Sequence, residues 1–293
     1  MSSTSFTTTA SPVWFITGCS SGFGTGLAMT ALKAGHRVIA SSRNPSRTPE
    51  LVADVEALGG HWLTLDTIAP NAKDVVRDAV KIYGHIDYLV NNAGYSLLGA
   101  IEDFSDEECR HQMEVNFFAP LRLVQAVLPS MRERKSGTIV NISSIAGLHG
   151  IETTGMYCAS KFALEGFSES LQCEVKAFGI RVLVVEPGAF RSNFLSAFVP
   201  PAAGVSEPYK DTAVGRQFAA FEAWSGKQPG DVQLGCQRIF EVVTGTGMGK
   251  GMEGFLRLGL GLDWGERARR KIESLEKTYK AQEAIWRSTD IKE

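Results

Sequence analysis

The sequence predicts a three-layer α/β fold in one domain, with a doubly wound parallel sheet and a lid after the sixth strand. Short apolar segments alternate with amphipathic segments six times before residue 189, and such alternation favours a parallel sheet with helices on both faces. With 293 residues, of which 44% are apolar and 21% charged, the chain can bury one large core. No internal repeat and no linker divides the sequence.

Composition also narrows the classes of function. The net charge is −2, so no basic surface for nucleic acid is expected. The cysteines are odd in number and lack the spacing of metal ligands, which predicts free thiols in a reducing compartment, the cytoplasm, and no metal site. They are Cys19, Cys109, Cys158, Cys173 and Cys236.

The first residues of the sequence are not expected to form a targeting signal. Residues 1–11 are polar, with neither an apolar core nor an arginine, so we expect a disordered tail rather than a signal or transit peptide. One domain then covers residues 12–293. No apolar run approaches the roughly 20 residues that span a bilayer.

The first strand and the turn after it form a predicted phosphate site. Val13 to Thr17 is an apolar run that ends at Gly18, and Gly22 and Gly24 follow. These glycines let the backbone turn sharply and approach a ligand, and the helix that they open points its free N–H groups at that ligand. Such a helix start attracts phosphate. An ordinary glycine-rich turn is the alternative.

The second strand, Arg37–Ser42, ends beside Arg43, and no acidic residue occurs between positions 38 and 46. In dinucleotide-binding folds an acid at this place accepts the ribose 2′-hydroxyl of NAD, whereas a cation accommodates the 2′-phosphate of NADP. The hydroxyls of Ser41 and Ser42 are expected to donate to that phosphate. A solvated loop charge is the alternative for Arg43.

Helices are predicted around residues 49–58 and 72–83, on either side of a third strand that ends at Asp66. A fourth strand, Ile86–Val90, stops at the polar segment Asn91–Gly94. Amides at the carboxyl end of a strand can fix backbone and contact a ligand. A turn aspartate is the alternative for Asp66.

A long helix is predicted from the capping box Ser105–Glu108 toward Pro129. Pro120 lies four residues after Asn116 and cannot donate a backbone hydrogen bond, so the carbonyl of Asn116 loses its helical partner. A carbonyl left open in this way can hold a water molecule.

The central stretch runs from Thr138 to Lys161, where a buried strand ends at Ser143 and Ser144 and a helix then carries Tyr157 and Lys161. The last two lie four residues apart and share a helix face. A nearby ammonium favours the phenolate and is expected to lower the tyrosine pKa from about 10. With the Ser144 hydroxyl holding a carbonyl or alcohol oxygen, the set can move a proton on and off oxygen.

The sixth strand, Ile180–Glu186, stops at Pro187 and Gly188, and Ser192 follows. The segment from 189 to about 230 is predicted to be long, irregular and aromatic, and loops of this length usually form lids or binding surfaces. Asp231 is predicted to cap a helix, a short last strand follows near Leu256, and a charged helix over 264–287 is expected to pack across the domain.

These motifs, in this order and spacing, closely resemble the short-chain dehydrogenase/reductase family over about residues 12–293, with a Rossmann-type sheet. The resemblance implies an active site of Asn116, Ser144, Tyr157 and Lys161. It also implies a cofactor site. This site is formed by the glycine turn, the residues near the adenine, the amides after the fourth strand, Tyr157 and Lys161, and the segment after the sixth strand. That set is Gly18, Ser20, Ser21, Gly22, Phe23, Gly24, Ser42, Arg43, Asp66, Asn92, Ala93, Gly94, Tyr157, Lys161, Pro187, Gly188 and Ser192. Ser192 stands where the family usually has Thr.

The resemblance implies an NADP(H)-dependent oxidoreductase, with NAD(H) as the less favoured cofactor. The substrate is expected to be a fairly bulky, apolar or aromatic ketone, aldehyde or alcohol that contacts Tyr95, His149, Phe190 and Phe194. Epimerisation or dehydration on the same fold, and a dinucleotide-binding regulator without turnover, are the alternatives. A homodimer or homotetramer is also implied.

Overall fold

The computed structural model describes residues 11–194 and 197–291, without the side chain of Glu222. Residues 1–10 of the predicted tail therefore lie outside the described residues. In the described ranges, no helix is long and apolar enough to cross a membrane.

The sheet has seven strands, all parallel, in the spatial order β3-β2-β1-β4-β5-β6-β7. The strands are β1 Val13–Ile16, β2 Arg37–Ser42, β3 His61–Thr64, β4 Tyr88–Asn91, β5 Gly137–Ile142, β6 Ile180–Pro187 and β7 Arg257–Leu260. The order reverses between β1 and β4, and ligands of doubly wound sheets bind at such a point, beyond the carboxyl ends of the strands. The predicted fold class is confirmed, although β3 ends at Thr64 rather than at Asp66.

Helices cover both faces of the sheet. They are α1 Gly22–Lys33, α2 Pro49–Ala57, α3 Ala72–Tyr83, α4 Asp106–Met113, α5 Ala119–Arg134, α6 Gly155–Val175, α7 Glu207–Lys210, α8 Ala213–Trp224, α9 Val232–Thr244, α10 Leu262–Ala281 and α11 Glu283–Trp286. On β1, Trp14 and Ile16 face the core layer under α1 and α9, whereas Val13 and Phe15 face the layer under α3, α5 and α6. Strands buried on both faces explain the nearly continuous apolar runs in the sequence.

The long helix predicted from the capping box is interrupted. The box at Ser105 and Glu108 forms as expected, but a π turn over Glu114–Phe118 separates α4 from α5. Pro120 cannot donate to the Asn116 carbonyl, and a locally widened helix accommodates the missing hydrogen bond. Helix α5 also continues past Pro129 to Arg134. Pro129 and Gln125, the residue whose carbonyl the proline leaves open, are both exposed, so water can bind that carbonyl.

Two later predictions need correction. The segment 189–230 is not wholly irregular, because it contains α7 and the twelve-residue α8.

The C-terminal helix begins at Leu262, and only its first turns pack on the domain. Ala268 is its buried residue, and every described residue from Ile272 to Ile291 is exposed. The expectation that this helix crosses the domain is therefore wrong, since its apolar stripe after Ala268 faces solvent.

Candidate active site

The glycine turn between β1 and α1 is shaped for close approach of a ligand. Gly18 and Gly22 adopt φ angles of +70° and +59°, which side-chain-bearing residues rarely adopt. A Cβ on Gly24 would lie 2.4 Å from the carbonyl oxygen of Gly18 and 2.6 Å from Nδ2 of Asn92. The turn therefore closes on itself only because residue 24 has no side chain.

Asn92, just after β4, ties that turn to the sheet. Its amide Nδ2 donates to the carbonyl oxygens of Thr17 at 2.8 Å and Gly18 at 3.1 Å. In return, the Thr17 hydroxyl oxygen accepts from the backbone N–H groups of Asn92 and Ala93, both at 3.0 Å. These bonds fix the backbone that would face the phosphates.

The sequence predicts that two hydroxyls and one guanidinium at the end of β2 all contact a phosphate, but the structure places these three groups in different environments. Ser41 is fully buried and its hydroxyl donates to the Ile16 carbonyl at 3.1 Å, so it is not free to donate to a phosphate. Ser42 lines the cavity and its hydroxyl oxygen accepts from Trp62 Nε1 at 3.2 Å, which leaves its own proton available. Arg43 is exposed at the cavity rim.

Asp66 lies in a turn at the edge of the cavity. Its carboxylate accepts from the N–H of Ile68 at 3.2 Å, as in an Asx turn. The residue also lines the cavity beside Thr67 and Ile68.

The end of β5 and the first turns of α6 bring together Ser144, Tyr157 and Lys161. All three line one cavity. The Lys161 ammonium donates to the carbonyl of Ile142 at 2.7 Å and lies 5.7 Å from the centroid of the Tyr157 ring. Ser144 has an extended backbone, and its hydroxyl oxygen accepts from the N–H of Ala146 at 3.1 Å. The spacing within α6 and the end of β5 together place a phenol, an amine and a hydroxyl at one site.

Burial governs the electrostatics of this pair. It raises the pKa of Tyr157, and the hydroxyl of Ser144 opposes that rise. This direction is opposite to the one expected from the sequence, because removal of water from the phenol outweighs the lysine, whose ammonium is directed at the Ile142 carbonyl. Burial also lowers the pKa of Lys161 to about 8, against the opposing charge of Glu165.

Asn116 lies behind the cavity, in the π turn, and not on the cavity wall. It is 1% exposed, and its side-chain amide donates to the Tyr95 carbonyl at 2.9 Å and to the Ser160 hydroxyl at 3.1 Å. Its Oδ1 accepts from the N–H of Tyr95 at 3.2 Å. A Cβ on Gly94 would lie 3.1 Å from that oxygen and 3.8 Å from Lys161 Nζ, so the asparagine and the lysine approach each other across the glycine.

One cavity of about 1060 Å³ connects the glycine turn with Tyr157 and the predicted lid. Most predicted site residues line it: Gly18, Ser20, Ser21, Gly22, Phe23, Ser42, Arg43, Asp66, Asn92, Ala93, Gly94, Tyr95, Ser144, Tyr157, Lys161, Pro187, Gly188, Phe190, Ser192 and Phe194. Among the described residues, Gly24, Asn116 and His149 are the predicted members outside the lining. Gly24 and Asn116 shape the site from behind it, and His149 uses its carbonyl to accept from Cys158 Sγ at 3.8 Å.

Aromatic rings connect Tyr157 to the predicted lid. The Phe194 ring lies 5.7 Å from that of Tyr157, Phe198 lies 5.5 Å from Phe194, and Phe221 of α8 lies 5.3 Å from Phe198. Phe190 is placed differently, since its ring packs at 5.0 Å against Phe23 of the glycine turn. Phe194 therefore belongs to the wall beyond the tyrosine, and Phe190 to the wall beside the turn.

Gln228 and Arg267 are among the polar residues of the cavity that sequence reasoning missed. Gln228 is 1% exposed, and neither atom of its amide has a hydrogen-bond partner within the described part of the chain. Arg267 is half-buried on the second turn of α10. Both lie more than 60 residues from Tyr157 and in segments without a motif, so no local signal points to them.

The geometry fits a dinucleotide. The glycine turn leaves no room for a Cβ at position 24, backbone N–H groups begin α1 at the cavity, and the cavity continues to the tyrosine and lysine. A sequence profile described as short chain dehydrogenase matches residues 12–201. The chain belongs to the short-chain dehydrogenase family. The resemblance seen in the sequence is thereby confirmed.

Relatives and solved structures agree with this family. The chain is 48% identical over 202 residues to the oxidoreductase claN of Passalora fulva, covering 69% of this chain and 91% of the relative. It is 40% identical over 202 residues to a 3-ketodihydrosphingosine reductase of Bacteroides thetaiotaomicron, covering 67% and 71%. It is 40% identical over 183 residues to human retinol dehydrogenase 8, covering 61% and 59%.

A short-chain dehydrogenase of Streptomyces avermitilis has the same fold, with a TM-score of 0.82 and 36% identity, over 96% of this chain and 100% of that one. A metagenomic short-chain oxidoreductase in complex with NADP superposes with a TM-score of 0.58 at 30% identity, over 61% and 82%. As a short-chain dehydrogenase, this protein is an oxidoreductase of a family whose members bind a nicotinamide dinucleotide and act on small molecules.

Proposed function

We propose that this short-chain dehydrogenase is an NADP(H)-dependent enzyme that reduces a ketone or aldehyde to an alcohol, or catalyses the reverse reaction, on a fairly bulky, apolar or aromatic substrate. The observation that carries the proposal is the single cavity that runs from the glycine turn, past Tyr157, to the aromatic rings of the lid. A cofactor and a large substrate can meet there at the phenol.

Each residue of the proposed site has its own role in the reaction. Tyr157 gives its phenolic proton to the carbonyl oxygen, and Ser144 hydrogen-bonds that oxygen and orients it. Lys161, as an ammonium, stabilises the phenolate that remains and anchors the nicotinamide ribose. The backbone carbonyl of Asn116, which has no helical partner because of Pro120, holds a water molecule that connects Lys161 to a proton relay. When bound, the dinucleotide supplies the hydride for reduction or accepts it in oxidation.

The wall beyond Tyr157 supports a bulky, apolar substrate. Phe194, Phe198 and Phe221 form a continuous aromatic surface there, and apolar walls with few polar groups are typical of sites for large hydrophobic ligands. The names of two relatives, a 3-ketodihydrosphingosine reductase and a retinol dehydrogenase, denote large apolar substrates.

The test is a carbonyl panel with purified protein and NADPH, followed by the absorbance of the reduced cofactor. We expect turnover of 9,10-phenanthrenequinone, retinal or a steroid ketone, with kcat/KM at least about tenfold above that for hydroxyacetone, because burial of one extra aromatic ring contributes a few kcal/mol. Efficient turnover of hydroxyacetone with none of the large ketones would contradict the substrate class. Binding of NADPH with no turnover of any carbonyl would favour the regulator instead.

The preference for NADP(H) is expected to depend on Arg43. Its exposed guanidinium at the cavity rim, with the free proton of Ser42 beside it, can pair with a 2′-phosphate. A charge-assisted contact of this kind contributes about 1.5–3 kcal/mol, or roughly 10- to 100-fold in affinity. Arg43→Ala should therefore raise KM for NADPH by that factor and hardly change KM for NADH.

The control is Arg110→Ala, which removes an exposed arginine of α4 outside the cavity lining. It should change neither constant. If the unmutated protein used both cofactors equally, the role of Arg43 would be lost, and a preference for NADH would reverse it.

A homodimer or homotetramer is the expected assembly. Phe118, at the end of the π turn, and Phe162 of α6 are each 42% exposed, and family members commonly pair through these helices with two-fold symmetry. Phe162→Glu should convert the assembly to a monomer or weaken it severely, as measured by light scattering at micromolar concentration. A mass near 31.8 kDa for the unmutated protein would refute this prediction.

A cytoplasmic location completes the proposal. All five cysteines are free, and Cys19, Cys158 and Cys236 are buried. Free thiols are usual in reducing compartments. A fluorescent fusion of the full chain should therefore fill the cytoplasm, and its accumulation in an organelle would argue against this location.

A further inference from the structure

Two buried carboxylates and one partly exposed arginine, from three elements, form a cluster one helical turn after Lys161. Glu165 of α6 and Glu186 of β6 have side chains that are 6% and 0% exposed, and both face Arg257 of β7. Nε of Arg257 donates to Glu165 Oε2 at 3.1 Å and lies 3.0 Å from Glu186 Oε1. Trp264 of α10 donates its indole N–H to Glu186 Oε2 at 2.7 Å. The family mechanism uses none of these groups.

The cluster has more buried acceptors than donors. Glu165 Oε1, Glu186 Oε1 and the hydroxyl of Ser143 are buried without a hydrogen-bond partner among the described residues. A Cβ on Gly147 would lie 2.7 Å from that hydroxyl and 3.0 Å from Glu165 Oε1, so these two groups converge on one point. The Ser143 hydroxyl can donate to Glu165 Oε1, but Glu186 Oε1 then still has no hydrogen-bond partner. A proton on Glu186 resolves this, because a protonated carboxyl oxygen can itself donate to the carboxylate of Glu165.

Repulsion between the two carboxylates leads to the same conclusion. Glu165 and Glu186 both lie against the single guanidinium of Arg257, and two ionised carboxylates this close repel each other strongly in a buried site. The third carboxylate on Arg257, that of Glu169, is exposed. One proton on the pair removes this repulsion and leaves a single carboxylate charge, on Glu165.

Glu165 also lies one helical turn after Lys161, on the same face of α6. Lys161 is buried, and its ammonium donates to a neutral carbonyl, that of Ile142. We propose that Glu165 and Glu186 share one proton, held mainly by Glu186, and that the charge left on Glu165 is a positioning group that keeps Lys161 protonated. The proposal rests on the proposed function only for the role of Lys161.

The acid–base properties of these groups support this arrangement. Burial, reinforced by the charge of Glu165, raises the pKa of Glu186 to about 7, and burial also raises the pKa of Glu165. Glu165 opposes the burial that lowers the pKa of Lys161. The charged groups that face the pair are Lys161 and Glu169 from α6 and Arg257 from β7.

The shared proton is tested by stability, without any substrate. A carboxyl whose pKa is higher in the folded protein contributes stability that is present at low pH and lost as the pH rises from its unfolded value, about 4.3, to about 7. Glu186→Gln mimics the protonated acid, since its amide can donate to Glu165 while its oxygen accepts from Trp264. The difference between the thermal unfolding midpoints of Glu186→Gln and wild type (variant minus wild type) should therefore become more positive from pH 5 to pH 8.

Glu169→Gln is the matched control, because it removes the exposed carboxylate from the same arginine. Its midpoint should follow that of wild type over this pH range. If Glu186→Gln also followed wild type, or lost more stability at pH 8 than at pH 5, the shared proton would be disproved.

The positioning role of Glu165 is tested in two ways. The first is the pH profile of kcat/KM for reduction of 9,10-phenanthrenequinone by NADPH. In Glu165→Gln, the decrease of kcat/KM at high pH should move by about one pH unit to lower pH, because Lys161 loses its proton more easily without the charge of Glu165. Glu186→Gln and Glu169→Gln should leave this limb of the profile in place. An unshifted limb in Glu165→Gln would overturn the role. Independently of turnover, Lys161→Met should lower the unfolding midpoint more in wild type than in Glu165→Gln, because only in wild type does the substitution remove an attraction between two buried charges. Equal losses would overturn the role even if the enzyme reduced no carbonyl.

Discussion

Tyr157→Phe is expected to lower turnover on the order of 10²-fold or more, which is the usual contribution of a positioned general acid. The substitution removes one hydroxyl and leaves the ring in place against Phe194 and Lys161. Cofactor binding is expected to depend on the glycine turn and the lysine, so it should stay within about twofold. The measurements are kcat with the best ketone of the panel and NADPH affinity by fluorescence titration.

Tyr88→Phe is the matched control. Tyr88 is a partly buried tyrosine whose ring packs against Trp14 at 4.5 Å, outside the cavity lining, so kcat should be unchanged. If Tyr157→Phe kept more than about a tenth of wild-type turnover, Tyr157 would not be the proton donor.

The raised pKa of Tyr157 affects the two directions of the reaction differently. A phenol that burial keeps protonated is ready to donate to a carbonyl oxygen. Oxidation of an alcohol requires the phenolate, and the protonated form of Lys161 is the nearby charge that favours it. The charge state of Lys161, and through it that of Glu165, therefore matters most for oxidation and for turnover at high pH.

The parts of the site that local sequence predicts are those that one strand end and one helix position. Tyr157 and Lys161 share a helix face by spacing alone, and Ser144 follows a strand whose apolar run is unmistakable. The glycine turn is equally local, because its conformation depends on the absence of side chains at positions 18, 22 and 24.

The parts that sequence reasoning missed depend on long-range packing. Ser41 and Ser42 are neighbours in the chain, yet strand alternation directs the Ser41 hydroxyl to a backbone carbonyl of β1 and leaves Ser42 at the cavity. Phe190 and Phe194 belong to one segment, but the first contacts the glycine turn and the second the catalytic tyrosine. Burial of Tyr157 involves several elements at once, and spacing within α6 contains no information about it.

Gly24→Ala is expected to weaken NADPH binding on the order of 10²-fold, because the turn closes at this residue. The added methyl would meet the Gly18 carbonyl oxygen at 2.4 Å and Asn92 Nδ2 at 2.6 Å. Neither is the end of a flexible side chain, since one is backbone and the other is held by two hydrogen bonds. Overpacking of this kind costs about 1–3 kcal/mol, and each 1.4 kcal/mol lost from binding is about tenfold in affinity.

Gly265→Ala is the control for Gly24→Ala. Gly265 also lies in the first turn of a helix, α10, but a Cβ there meets no atom within 4 Å. Its substitution should leave NADPH affinity unchanged and slightly raise the unfolding midpoint, since alanine is favoured over glycine in a helix by about 1 kcal/mol. Unfolding curves must show that Gly24→Ala is folded when its affinity is measured. A folded Gly24→Ala protein that bound NADPH as wild type does would show that the cofactor does not contact this turn, and the cavity would then need another ligand.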